Sequence, residues 1–248
     1  MTIREAIAEQ LKSIKNRSPK EQLSYFWEYY GIKTICLLLA LAMLIGFIVT
    51  MATKKEYAFT GVFFGASRQA GSEDYLTQLG LSCGIDTDRY ALSVQCHPDI
   101  RMDLQLTPEI YDSMQAFTAM VSANSVDCFA GNAELFLYYS YLGYAMDLRT
   151  VLTEAELEQL APYLYYIDAD RIRQQEESNE GYASAYSGHP DPTKPETMVD
   201  PIPVGISLDA AAEDFRQAYS FVDHGVIGIC ASSEHTEYAL AILRSVLL

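Results

Sequence analysis

Residues 25–53 read YFWEYYGIKTICLLLALAMLIGFIVTMAT, and the second part of this stretch decides what kind of molecule the chain is. From Thr34 to Thr53 there are 20 residues and no charge. A helix of that length reaches about 30 Å, the hydrocarbon thickness of a bilayer. A helix on a globular surface carries a polar stripe, and this one has none. The pattern predicts a transmembrane helix over 34–53. Lys33 at one end and Lys54 and Lys55 at the other have the placement of snorkelling anchors. Tyr25, Phe26, Trp27, Tyr29 and Tyr30 surround the helix axis rather than marking one face. Rings with an apolar body and a polar edge collect at the membrane–water boundary, so these five read as an interfacial collar.

Charge divides the chain on either side of this segment. Residues 1–34 hold six basic and four acidic residues, a net of +2, whereas 54–248 hold 11 basic and 29 acidic, a net of −18. The basic run Lys12, Lys15, Arg17 and Lys20 precedes the apolar segment, so the positive-inside rule predicts a cytoplasmic N-terminus and an extracytoplasmic remainder. The leader is long for a signal peptide and the apolar run exceeds a usual signal core, which favours an uncleaved anchor. Residues 2–15 show Ile3, Ile7, Leu11 and Ile14 at helical spacing, with Thr2 and Glu5 able to form a capping box. Such a helix suits the inner leaflet or a partner helix. At −18 the outer part excludes nucleic acid as a partner bound by charge.

The outer part alternates between strand and helix patterns. Strands are expected at 56–66, 89–99, 125–131, 162–168, 201–208 and 224–232. Helices are expected at 72–85 capped by Ser72, at 107–122 with Thr107-Pro108-Glu109 as its start, after Asn132, after the Thr153/Glu156 capping box, near 209–219, and at the C-terminal end after Ser233. Residues 169–200, rich in Gln, Glu, Ser, Gly and Pro, read as a loop. The expectation is an α/β chain in three parts: a cytoplasmic amphipathic and juxtamembrane segment (1–33), a transmembrane helix (34–53), and one three-layer α/β/α domain with a largely parallel, mixed sheet (54–248). Cys36 falls in the span; Cys83, Cys96, Cys128 and Cys230 read as small core residues, with disulfides as the alternative.

Three stretches of the outer part resemble extracellular solute-binding proteins of the type 2 periplasmic-binding class, as found in Gram-positive-type bacteria. The first is YDSMQAFTAMVSANSVDCFAGNAELFLYYSYLGYAMDLRTVLTEAELEQL, with Asp127 where that class opens a strand. The second is PIPVGISL, similar to the segment returning through the hinge; the third is GVIGICASSEHTEYALAILRSVL, similar to the late strand and helix. The class has two lobes, but only about 35 residues lie between PYLYYID and PIPVGISL, too few for a second lobe. The resemblance implies a single lobe, and it carries over no ligand residues.

The chain has no HExxH, GxSxG or glycine-rich phosphate loop. Cys96 and His97 are strand neighbours and point to opposite faces, so they do not form a nucleophile–base pair. The scattered histidines (His97, His189, His224, His235) lack metal-ligand spacing, and Asp86-Thr87-Asp88 reads as a capped turn. No catalytic residue, metal or cofactor is expected. In parallel sheets ligands sit beyond the carboxyl ends of strands, which selects Ser67, Arg68, Asn132 and Glu134 as ligand-binding candidates. Asn132 is equally a helix cap. The sequence predicts a single-pass membrane protein that presents a binding or interaction domain, as a subunit or accessory of a membrane assembly or transport system. The partners implied are the lipid bilayer and another membrane protein. The alternatives are a tethered small-molecule receptor or an enzyme with an unfamiliar site.

Overall fold

The computed structural model describes residues 19–53, 55–100, 107–178 and 189–248. The chain forms two compact units, 1–54 and 55–248. The amphipathic segment 2–15 and Lys54 lie outside the described residues, as do the side chains of Tyr25, Phe26, Tyr29 and Tyr30.

In the first unit a single helix, α1, runs Pro19–Thr53 over 35 residues. Proline at its first position has no N–H to leave unpaired. The helix therefore starts fifteen residues before the expected span, and its apolar part is Gly31–Met51. That part is long and apolar enough to cross a membrane, and its most apolar 18-residue window is not buried. The two hydroxyls at its end bond inside the helix: Thr50 Oγ1 donates to the Gly46 carbonyl at 2.9 Å and Thr53 Oγ1 to Val49 at 2.8 Å. The indole of Trp27 lies against Gly31 one turn on and is 61% exposed. Lys33 is exposed.

The second unit opens with β1 (Glu56–Phe64). At Gly65 (φ 63°) the chain turns into β2 (Ala66–Arg68), dividing the expected single strand in two. Then follow α2 (Ser72–Ser82), β3 (Tyr90–His97), α3 (Pro108–Ser122), β4 (Cys128–Asn132) and α4 (Ala133–Tyr141). Next come α5 (Glu154–Leu160), β5 (Leu164–Asp168), α6 (Ala169–Ser178), β6 (Pro201–Ser207) and α7 (Glu213–Ala218). The chain closes with β7 (Tyr219–Phe221), β8 (Gly225–Ile229) and α8 (Thr236–Leu247).

The six-stranded sheet has the order β3-β1-β4-β8-β6-β5, and β2 pairs with β7 in a second, two-stranded sheet. The unit is α/β with a mixed sheet, but the sheet is not largely parallel. β1 pairs in parallel with β3 and β4, while β4–β8, β8–β6 and β6–β5 are antiparallel. The two parallel pairs are joined through long helices. Parallel neighbours need a crossover that returns the chain across the whole strand. α2 and α3, with 11 and 15 residues, span about 16 and 22 Å. α7 has six residues and spans about 9 Å, and the chain then reverses through β7 and enters β8 from the opposite end.

Successive side chains of a strand point to opposite faces, and residues of β1 enter two separate hydrophobic clusters. Phe59 and Phe63 of β1 join Leu76 and Leu79 of α2 and Ile242, Leu243 and Val246 of α8. Val62 and Phe64 join Phe117 and Val121 of α3 and Leu135 and Phe136 of α4. Phe136 stacks on Phe129 at 4.9 Å and lies flat on two glycines of neighbouring strands. A Cβ at Gly205 would stand 2.4 Å from its ring; one at Gly228 would stand 2.7 Å from the ring and 2.7 Å from the Val204 carbonyl.

Polar ties close the unit. The buried Asp127 carboxylate accepts from the Thr60 N–H at 2.7 Å and from Ser233 Oγ at 2.6 Å, with His235 Nδ1 at 3.5 Å. Its backbone bonds Thr60 and Cys230. Ser233 is not the cap of α8: His235 holds that position, and Ser233 Oγ accepts from the His235 N–H. Gly71 (φ 84°), not Ser72, precedes α2. Thr107, Asn132 and the Thr153/Glu156 box cap their helices as expected. Glu156 also takes two bonds from Arg244 of α8, and these contacts draw its carboxyl down to about 2. The segment expected to be loop at 169–200 contains α6. Burial raises the Asp168 pKa, but N–H groups of Val199, Asp200 and Asp170 outweigh it and hold the carboxylate ionised, starting α6 and tying down residues 199–200. All five cysteines are unpaired; Cys128 and Cys230 are buried, Cys83 and Cys96 half-buried, and Cys36 is exposed on α1.

The flat contact under Phe136 sets a prediction. Gly228→Ala has a carbonyl in its way and is expected to cost about 1–3 kcal/mol, lowering the thermal midpoint by roughly 3–10 °C. Gly131→Ala meets only ordinary contacts of 3.5 Å or more and should move it less. Melting both full-length variants in detergent checks the difference.

Candidate binding site at the carboxyl edge of the sheet

β1, β3, β4 and β6 end at one edge of the sheet, where β8 begins. Ser67 and Arg68 follow β1 on β2, and Asn132 and Glu134 follow β4, so all four candidate residues lie near this edge. Their surroundings differ from a convergent set of ligand groups. Ser67 pairs with Ser220 across the small sheet. The Arg68 guanidinium donates to Glu73 at 2.9 Å and to the Val94 carbonyl. Asn132 Oδ1 accepts from the Leu135 N–H at 3.2 Å, the cap of α4. Glu134 is exposed in the first turn of α4.

Cys96 and His97 face opposite ways. Cys96 packs on the cluster with Phe59, and burial raises its thiol pKa against the opposing pull of Arg68. His97 stacks on Phe64 at 5.8 Å, and burial lowers its pKa. Asp86 Oδ1 accepts from the N–H groups of Asp88 and Arg89, a capped turn. Lys55 Nζ donates to the carbonyl of Thr87 in that turn. Among the described residues no group of three or more His, Cys, Asp or Glu is placed to hold a metal ion.

The same edge holds a cavity of about 390 Å³. The turn Leu208-Asp209 after β6, Phe215 and Arg216 of α7, and the chain from Tyr219 to Gly225 form its walls. Its volume lies within the range of small-molecule pockets. Leu208, Phe215 and Tyr219 are buried, whereas Val222, Asp223 and His224 are exposed. His224 Nδ1 lies 2.9 and 3.1 Å from the two carboxylate oxygens of Asp209. Those bonds raise the His224 pKa above the ordinary 6.5. None of the four candidate residues lines the cavity; Ser67 and Arg68 pair with Ser220 and Tyr219 of its wall.

Sequence reasoning missed this wall because β7 has three residues and was absorbed into an expected helix at 209–219. The available signal was Tyr219-Ser220-Phe221, an alternation followed by the turn residues Asp223, His224 and Gly225.

The His224–Asp209 contact can be measured directly. A raised pKa favours the charged imidazole in the folded state, so the contribution of the pair is full below pH 6.5 and lost as pH rises through the folded-state value. An NMR titration of His224 is expected to show a midpoint above 6.5, and Asp209→Asn should return it to about 6.5.

Compared with protein-family models, with curated proteins and with solved structures, the chain matches none.

Proposed function

We propose that the chain is a single-pass membrane protein whose helix α1 holds an acidic α/β binding domain outside the cell. The domain serves as a subunit or accessory of a membrane assembly, such as a transport system. The observation that carries this reading is the Gly31–Met51 segment, uncharged from Thr34 onward and exposed along most of its length. Such a surface is stable only when lipid or another apolar helix covers it. The Thr50 and Thr53 hydroxyls, already bonded within the helix, add no unsatisfied polar group to it. The basic run before the span and the acidic domain after it give the orientation. On this reading the collar at residues 25–30 lies at the inner boundary of the bilayer.

The domain is read as one three-layer α/β/α lobe, related to solute-binding proteins of the type 2 periplasmic class and acting by binding rather than by catalysis. The two hydrophobic clusters, each with helices on it, support the layered arrangement. One six-stranded sheet with a small two-stranded sheet beside it is in keeping with one lobe. A second reading, a membrane-tethered solute receptor, is favoured by the cavity at the carboxyl edge of β6.

Mild detergent extraction of the full-length chain followed by size-exclusion chromatography tests the assembly reading. A complex containing a second membrane protein in fixed proportion is expected. A monomer of 27.7 kDa in its micelle, with nothing co-purifying, contradicts it.

A further inference from the structure

The cavity beside β7 joins an apolar floor to an ionisable rim. Leu208, Phe215 and Tyr219 are buried beneath it, and Asp209, Arg216 and His224 stand around it. Arg216 is held by Glu213 of its own helix, Nη2 to Oε2 at 2.8 Å, so its charge is balanced locally. His224 is held by Asp209. The acidic groups of the lining are Asp209 and Asp223. The surrounding segment 54–248 has 11 basic and 29 acidic residues. An anion entering the cavity is opposed both by its walls and by the field of the whole domain, and a cation is drawn in. Aromatic walls receive the apolar body of such a cation and, where a ring face is presented, its charge.

We propose that this cavity binds a small organic cation, an ammonium group on an aromatic or alkyl body, with Asp209 as the carboxylate that receives it. The proposal rests on the receptor reading above. In the free chain the His224 imidazole occupies both Asp209 oxygens, at 2.9 and 3.1 Å. A bound ammonium takes the same oxygens, so imidazolium and ligand compete, and binding tightens as His224 loses its proton. The other ionisable groups near this pair are the carboxylates of Asp223 and Glu213, the Arg216 guanidinium and the Tyr165 phenol of β5, whose pKa is raised by burial first and by Asp209 second.

Calorimetry on the full-length chain in phosphatidylcholine nanodiscs tests the proposal. The probes are 2-phenylethylammonium and its anionic counterpart 3-phenylpropionate. The ammonium is expected to bind with a Kd below about 1 mM, tighter at pH 8.5 than at pH 6, and the carboxylate is not. Asp209→Asn should weaken ammonium binding about tenfold, and His224→Gln should remove its pH dependence. Both sites are exposed, and circular dichroism confirms that the variants fold; Asp223→Asn is the second rim variant, expected to weaken binding less than Asp209→Asn. Equal binding of the two probes, or no ammonium binding up to about 10 mM, overturns the proposal. If neutral or anionic solutes in the same series bind while the ammonium does not, the cation inference fails and the receptor reading stands. If no solute binds, both fail.

Discussion

The buried carboxylate of Asp127 is the point on which the α/β domain turns. It opens β4, the strand where the parallel half of the sheet meets the antiparallel half. Its Oδ2 accepts from Thr60 of β1, its Oδ1 accepts from Ser233 on the path to α8, and its backbone carbonyl accepts from Cys230 after β8. One residue thus fixes β1, β4, β8 and the entry to the last helix. A carboxylate in the interior is tolerable only when its lone pairs are satisfied, because an unpaired buried charge costs several kcal/mol. The geometry around Asp127 is therefore demanded as well as supplied. Asp168 repeats the device at β5, where three N–H groups hold a carboxylate that begins α6 and fastens residues 199–200.

Much of this was legible in the sequence where one local rule acts alone. The uncharged run at 34–53 could be read as one long apolar helix because its pattern is local, and the caps at Thr107, Asn132 and Thr153 because each side chain serves its own helix. What stayed hidden depends on partners far along the chain. Strand direction was misjudged because it depends on the edge from which each connection re-enters the sheet, which no local pattern carries. Helix α6 was hidden because its composition is polar and its stability comes from Asp168 and residue 200, about thirty positions apart. Ser233 was read as a cap, yet its hydroxyl serves Asp127, 106 residues earlier.

The candidate site was partly legible for the same reason. The rule that ligands gather beyond the carboxyl ends of strands led to Ser67, Arg68, Asn132 and Glu134, which lie near the edge that also holds the cavity but do not line it. Arg68 and Asn132 carry conserving duties within the fold, one on Glu73 and Val94, the other on α4. The cavity lies one strand away, on a wall made by the short β7 and its turn, which periodicity over three residues cannot reveal. Its chemistry is built from exposed pairs, Asp209 with His224 and Arg216 with Glu213. Pairs in water contribute little to stability, so they leave the rim free to exchange partners.

The account as a whole depends on α1 spanning a bilayer with the acidic domain outside. Val199 is 76% exposed on that domain and offers a reporter position. The most direct measurement is labelling of Val199→Cys with a membrane-impermeant maleimide in intact cells, read in the carbonate-washed membrane fraction against the parent chain. The account predicts labelling before lysis and retention in the membrane. Labelling only after lysis, or recovery of the domain in the soluble fraction, would contradict it.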